Sequence, residues 1–213
     1  MVQAVIFDMD GTLLDTEKYY QHFWPLALGE FGYTISKEQL LSMRSLGHPF
    51  GVARMKEWFG EDFDMAAVRA KRNEMMAPHI AEHGIQCKPG AEELLQELKR
   101  RGIVTAVATA TQLSIATEHL ESAGIARYFD RIISAHMVEE GKPSPHVYRY
   151  ACEQLGLSPE NCIAVEDAPN GVLSAYRAGC KVVMVPDLTQ PDEELSKLLY
   201  AKKDHLLEIL ELL

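Results

Sequence analysis

The sequence predicts an α/β protein: a parallel sheet sandwiched by helices, with an all-helical unit inserted after the first strand. Three observations predict it. Five short apolar runs are rich in Val and Ile and do not alternate with polar residues, the pattern of strands covered on both faces. Helical stretches separate most of them, and four of these stop at a glycine before the chain returns to the sheet. Residues 16–85 break that rhythm and hold no convincing strand.

The elements follow in order. Residues 4–7, Ala-Val-Ile-Phe, form the first strand. In the insertion Tyr20, Phe23, Trp24, Ala27 and Phe31 recur at helical spacing, although Pro25 should kink or shift that helix. Further helices are expected over 37–45, 52–59 and 65–81. Residues 91–101 place Leu94, Leu95 and Leu98 on one face and stop at Gly102. The second strand spans 103–108, and a helix over 113–123 then buries Ala116, Leu120 and Ala123 before Gly124. The third strand is 131–134. Ser144 reads as an N-cap with Pro145 at the first helical position, and that helix buries Val147, Tyr148, Ala151 and Leu155 before Gly156. A fourth strand at 162–165, a helix from about Pro169 to Gly179 and a fifth strand at 181–185 complete the series. The expected organisation is a Rossmann-like core of residues 1–15 and 86–213 with a helical cap of residues 16–85. Its two linkers, near Asp15-Thr16 and Gly84 to Pro89, would lie side by side as a hinge.

Composition narrows the function. The 213 residues carry 21 basic and 31 acidic side chains, a net charge of −10, which argues against a nucleic-acid partner. A phosphorylated small molecule stays open, because a metal ion can offset the charge. Hydrophobic residues at 47% exclude wholesale disorder. Cys87, Cys152, Cys162 and Cys180 form no CxxC pair, so neither a zinc site nor a disulfide framework is expected. No apolar run approaches the roughly 18 residues that span a bilayer. The N-terminus carries acids where a signal peptide needs bases. The expectation is a cytoplasmic protein without a membrane partner, and a monomer.

Ligands of open parallel sheets bind beyond the carboxyl ends of the strands. There this sequence places Asp8-Met9-Asp10-Gly11-Thr12, then Thr109-Ala110-Thr111, then Gly141-Lys142-Pro143, then Glu166-Asp167. Four carboxylates, hydroxyls and one lysine converge on one rim. Asp8 and Asp10, two apart on an extended strand end, can point the same way. Two such charges resist joint ionisation unless a cation offsets them, which lets one attack while the other holds a proton. Alone, an Asp-x-Asp-Gly is more often a capped turn. Thr109 offers a hydroxyl where the strand is expected to give way to a helix N-terminus. Lys142 can neutralise a phosphoryl group or an aspartate. Glu166 and Asp167 are adjacent and would point apart, so Asp167 is expected to reach a metal directly and Glu166 to turn in or act through water. Hard oxygen ligands with open positions suit Mg²⁺.

This constellation resembles the haloacid dehalogenase superfamily of phosphotransferases over nearly the whole chain. The insertion looks like the alpha-helical cap of its subgroup with sugar-phosphate phosphatases and beta-phosphoglucomutase. Ala168 stands where that family often has serine. The resemblance implies that Asp8 is the nucleophile, forming an aspartyl-phosphate, and that Asp10 is the general acid and base. It also implies that Thr109, Lys142 and the N–H groups near Met9 and Ala110 hold the phosphoryl oxygens. Mg²⁺ would be bound by Asp8, the main-chain carbonyl of Asp10 and Asp167, with Glu166 supporting. The implied substrate is a small phosphorylated metabolite, in the first place a sugar phosphate.

The cap should carry specificity, with Thr16, Tyr19, Tyr20, His22, Arg44, His48 and Arg54 as candidates. Thr16, Arg44 and His48 are preferred, since they lie near the hinge and the Gly47 turn. Tyr20 also fits a core stripe, and Arg54, Lys56, Lys71 and Arg72 read as solvated helix faces. Beta-phosphoglucomutase is the alternative. That family has a cap histidine where this chain has Tyr20, and a lysine-glycine element where it has Ser45-Leu46-Gly47-His48, so the phosphatase is preferred. A non-catalytic switch resembling a response-regulator receiver ranks lower, because such domains lack a large insertion after the first strand.

Overall fold

A computed structural model describes residues 2–213. Its sheet has six parallel strands in the order β3-β2-β1-β4-β5-β6. These are β1 (Ala4–Phe7), β2 (Val104–Thr109), β3 (Arg131–Ser134), β4 (Cys162–Glu166), β5 (Lys181–Met184) and β6 (Ala201–Lys202). The continuous apolar pattern of β1 has a direct cause. Ala4 and Ile6 enter one apolar cluster, while Val5 and Phe7 enter another on the opposite face. The first cluster packs under α7 (His146–Leu155) and α8 (Pro169–Ala178), the second under α5 (Ala91–Arg100) and α6 (Leu113–Ser122). Register brings the strand ends level: Phe7 pairs with Val107 and Val165, and Thr109 pairs with Ser134.

The insertion holds α1 (Glu17–Glu30), α2 (Lys37–Ser42), α3 (Phe50–Phe59) and α4 (Met65–His83) around a third apolar cluster that includes Phe23, Trp24, Leu28, Met55 and Val68. Its two connections run side by side. The Asp15 N–H donates to the Gln86 carbonyl at 2.9 Å, and the Lys88 N–H to that of Leu13 at 2.8 Å. A second contact joins insertion to core at the rim. The Gly47 N–H donates to the Lys142 carbonyl at 2.8 Å, and the Gly141 N–H to the His48 carbonyl at 2.5 Å. Both glycines are required by proximity, since a Cβ on Gly47 would lie 2.7 Å from the Gly141 Cα.

Some local expectations change. Pro25 lies inside α1 without ending it. It faces solvent, where a missing N–H costs least, while Tyr20, Phe23, Trp24 and Ala27 hold the inner face. Phe31 sits past the helix end and is 44% exposed, outside the expected apolar stripe. The second helix of the insertion stops at Ser42, and Ser45 adopts a left-handed conformation with φ of 55°. Ser144 does not cap α7: the helix starts at His146 behind Pro145, and the Ser144 carbonyl accepts from Ser174 Oγ at 2.6 Å. The two-residue β6 and its short neighbour α9 (Glu193–Ser196) were too brief to leave a periodic signal.

Candidate active site

The site forms where β1, β2 and β4 end. The Asp8 N–H continues the ladder by donating to the Val165 carbonyl at 2.9 Å, which delivers its side chain to the rim, only 2% exposed. Lys142 Nζ, fully buried, donates to Asp8 Oδ1 and to Glu166 Oε1, each at 2.6 Å. Tyr148 Oη donates to the same Glu166 oxygen at 2.6 Å. Asp167 Oδ1 accepts from Thr12 at 3.0 Å, and its other oxygen meets the Arg44 guanidinium.

Burial raises the carboxyl pKa values of both Asp8 and Glu166, with Lys142 opposing, and Glu166 is pushed up to about 7. Burial also works against the Lys142 charge, but Asp8 and Glu166 outweigh it and hold the ammonium above its ordinary value. A charged lysine between two acids accounts for all three directions: one acid is ionised against it and the second resists joining.

Asp10 is held differently. Its two oxygens accept from Thr16 Oγ1 at 2.6 Å and Thr111 Oγ1 at 2.8 Å. Its side chain is therefore aimed, beside Asp8 rather than within the Asp8–Glu166–Asp167 group. In that group, oxygens of Asp8, Glu166 and Asp167 lie within 4.8 Å of one another. Three buried hard-oxygen donors and an unpartnered buried Glu166 Oε2 fit a small divalent cation. The surrounding backbone leaves room for nothing larger than hydrogen. A Cβ on Gly11 would run into Asp167, and one on Gly171 into Glu166. Glu166 and Asp167 share the group because the strand ends at Glu166, so the alternation expected to separate them stops there.

A cavity of about 770 Å³ opens between this rim and the insertion. Asp8, Asp10, Thr109, Ala110 and Thr111 line its floor, and Tyr20, Trp24, Arg69 and Arg72 line its wall. Thr109 is 1% exposed and its Oγ1 accepts the Thr111 N–H at 3.0 Å. The following helix begins only at Leu113, so Thr109 closes β2 three residues short of it and does not stand at a helix N-terminus.

Of the three preferred cap residues, Arg44 alone lines the cavity. It is 4% exposed and also reaches Glu17 at 3.4 Å and Thr189 at 3.1 Å. Thr16 is turned to Asp10 instead. His48 is exposed, outside the cavity, and contributes its carbonyl to the Gly141 contact. Arg72, expected on a solvated face, is a correction in the other direction, for it lines the cavity together with Tyr20, a candidate that also belongs to the apolar cluster of the insertion. The sequence assigns no place in the site to Thr12, Glu17, Thr111 or Tyr148, the last of which it reads as core. Only the threonines, next to the first and second motifs, carried a positional signal.

Residues 5–185 match the family of haloacid dehalogenase-like hydrolases. The chain belongs to that family. This haloacid dehalogenase-like hydrolase is 31% identical to hexitol phosphatase A of Escherichia coli over 86% of its own length and 82% of the relative's. Among solved structures it resembles CbbY of Rhodobacter sphaeroides in complex with xylulose-(1,5)bisphosphate, with TM-score 0.82 and 29% identity, covering 98% of this chain and 96% of that one. It likewise resembles beta-phosphoglucomutase from Clostridium difficile, with TM-score 0.83 and 26% identity, covering 98% and 93%. The Rossmann-like α/β fold and the family membership expected from the motifs are both met. No helix among the described residues is long and apolar enough to cross a membrane.

Proposed function

We propose that this hydrolase is a Mg²⁺-dependent phosphatase of a small phosphorylated carbohydrate, working through an aspartyl-phosphate. The observation that carries the reading is the buried Asp8–Lys142–Glu166–Asp167 group opening on a cavity with Asp10 held beside it. An Asp8 oxygen attacks the phosphorus, and the bond from phosphorus to the ester oxygen breaks. Asp10, oriented by Thr16 and Thr111, gives its proton to the departing oxygen, then takes one from the water that cleaves the aspartyl-phosphate. Lys142, Thr109 and the N–H groups near Met9 and Ala110 bind the phosphoryl oxygens. Mg²⁺ held by Asp8, Asp167 and the Asp10 carbonyl, with Glu166 supporting, would supply charge compensation for the phosphoryl group. Residues 16–85 act as a cap over the core of residues 1–15 and 86–213, with the paired connections as hinge, and exclude water when closed. The enzyme works in the cytoplasm as a monomer.

A phosphate-release screen over sugar phosphates, polyol phosphates and nucleotides, with and without Mg²⁺, tests this. Metal-dependent release is expected on at least one sugar or polyol phosphate, and Asp8→Asn should lower it by at least ~10⁴-fold. Release that survives in Asp8→Asn would remove the assigned nucleophile. The likeness to beta-phosphoglucomutase supports a second reading, phosphoryl transfer between sugar positions. Tyr20 at the cap position of the mutase histidine weighs against it. Incubation with β-glucose 1-phosphate and a trace of the bisphosphate decides: glucose 6-phosphate without inorganic phosphate would replace the phosphatase by the mutase.

A further inference from the structure

One cation of the insertion is committed to the core. Arg44 lies on the strap between α2 and α3, yet its guanidinium is buried among acids of the rim. Nη2 pairs with Asp167 Oδ2, and the two side chains are only 2% and 1% exposed. Thr12 Oγ1 donates to the other Asp167 oxygen at 3.0 Å, so both oxygens of that carboxylate are engaged. Among the described residues no other lysine, arginine or histidine lies within ion-pair distance of Asp167. The next strap residue, Ser45, sets its Oγ 3.5 Å from Asp8 Oδ2, while Lys142 takes Oδ1. Asp8 and Asp167 are two of the three buried acids that fit a divalent cation.

The strap is fastened to the core on both sides of Arg44. Asn170 Nδ2, in the first turn of α8, donates to the Ser42 carbonyl at 3.0 Å and to the Arg44 carbonyl at 2.8 Å. Beyond Ser45 the main-chain bonds of Gly47 with Lys142 and of His48 with Gly141 hold the other side. The Arg44 backbone is therefore fixed, but its side chain has alternatives. Nη1 donates to Thr189 Oγ1 at 3.1 Å, Nε lies 3.4 Å from Glu17 Oε2, and Nη2 lies 3.7 Å from Asp187 Oδ2. These partners stand outside the Asp8–Glu166–Asp167 group. The guanidinium can leave Asp167 and remain paired, whereas Asp167, buried, cannot lose it without gaining another cation.

We infer that Arg44 is a resident counter-cation, held by the Asn170-anchored strap on the carboxylate that a divalent metal would take, so that metal binding and strap docking oppose each other. The inference rests on the metal reading above. A guanidinium and a divalent cation on one buried carboxylate repel each other, and either alone balances its charge. Metal binding therefore requires the guanidinium to withdraw, and apparent affinity falls in proportion to the fraction of molecules in which Asp167 is free. By linkage, the metal weakens the hold of the strap on the core to the same degree.

The test is calorimetric titration with Mn²⁺ and Mg²⁺, with the unfolding temperature in EDTA as a second readout that needs no turnover. Arg44→Met should bind Mn²⁺ with a Kd at least about tenfold below that of the wild type. In EDTA it should unfold at a lower temperature, since Asp167 is left buried without a cation. Saturating Mn²⁺ should then raise its unfolding temperature by more than that of the wild type. Asn170→Ala keeps every charge and frees the strap, so it separates displacement of the guanidinium from simple loss of a positive charge. Its Kd should fall by about two- to threefold, as a less tethered guanidinium competes less well. This variant also serves if Arg44→Met does not fold. An Arg44→Met Kd equal to or above the wild-type value, or an Asn170→Ala Kd equal to it, would overturn the inference. Absence of Mn²⁺ and Mg²⁺ binding in the wild type and both variants would instead overturn the metal reading beneath it.

Discussion

The floor and the wall of the cavity are built on opposite plans. The floor is a buried ionic group in which Lys142, Asp8 and Glu166 hold one another at 2.6 Å, with Tyr148 closing the set. Every charge there depends on a named neighbour. The wall is looser: Arg69 and Arg72 stand on one helix face, aromatic rings lie beneath Arg72, and neither arginine has a carboxylate within ion-pair distance among the described residues. In the floor each charge is fixed by its neighbours, while in the wall the guanidiniums have no ion-pair partner. On the proposed function, chemistry and recognition would therefore load different elements, strand ends in the first case and helix faces in the second.

Breaking the floor should cost most. Lys142→Met leaves Asp8 and Glu166 buried without their cation, and urea unfolding should show a loss of ~3–5 kcal/mol. A loss below about 1 kcal/mol would mean that neither acid is ionised against the lysine.

Glu17 sharpens the boundary between the two regions. It is 6% exposed, and its carboxyl is pushed up to about 7, first by burial, with Arg44 opposing and Asp10 adding. A raised carboxyl stabilises the fold fully below the unfolded value of 4.5 and loses that contribution as pH rises through about 7. In EDTA, wild-type stability should therefore decline across that window by up to roughly 3 kcal/mol relative to Glu17→Gln. Parallel pH profiles of the two proteins would contradict the burial of this charge.

The smallest effect is expected at the contact that joins the regions. Gly47→Ala puts a Cβ 2.7 Å from the Gly141 Cα, a backbone that cannot step aside. The insertion should lift from the rim, read as faster proteolysis between residues 42 and 50, with a stability loss of ~1–3 kcal/mol. Proteolysis unchanged from wild type would show that the main-chain contact is not what holds the insertion down.

Legibility in the sequence follows the same division. Strand ends are short, and the residues after them are brought to one rim by topology alone, so Asp8, Asp10, Thr109, Lys142, Glu166 and Asp167 could be named before any coordinates. The wall could not. Arg72 has the periodicity of a solvated helix position, and nothing local shows that its face is turned inward over Trp24 and Tyr20. Thr16 and His48 were assigned to the substrate from their closeness to the hinge and the Gly47 turn. In three dimensions one serves Asp10 and the other serves the main-chain contact. Tyr148 read as core, which it is, but its hydroxyl also ends on Glu166.

Hydrophobic patterning and motif order by themselves determined the α/β class, the helical insertion and the residues at the strand ends, because those depend on local period and on chain order. Tertiary structure alone decided that Glu166 and Asp167 share one cluster, that Arg44 reaches Asp167 from the insertion, and that Arg69 and Arg72 line the same cavity as Asp8 and Asp10. The first follows from where β4 ends beside β1, and the other two are contacts between residues far apart in the chain that only packing of the insertion against the rim creates.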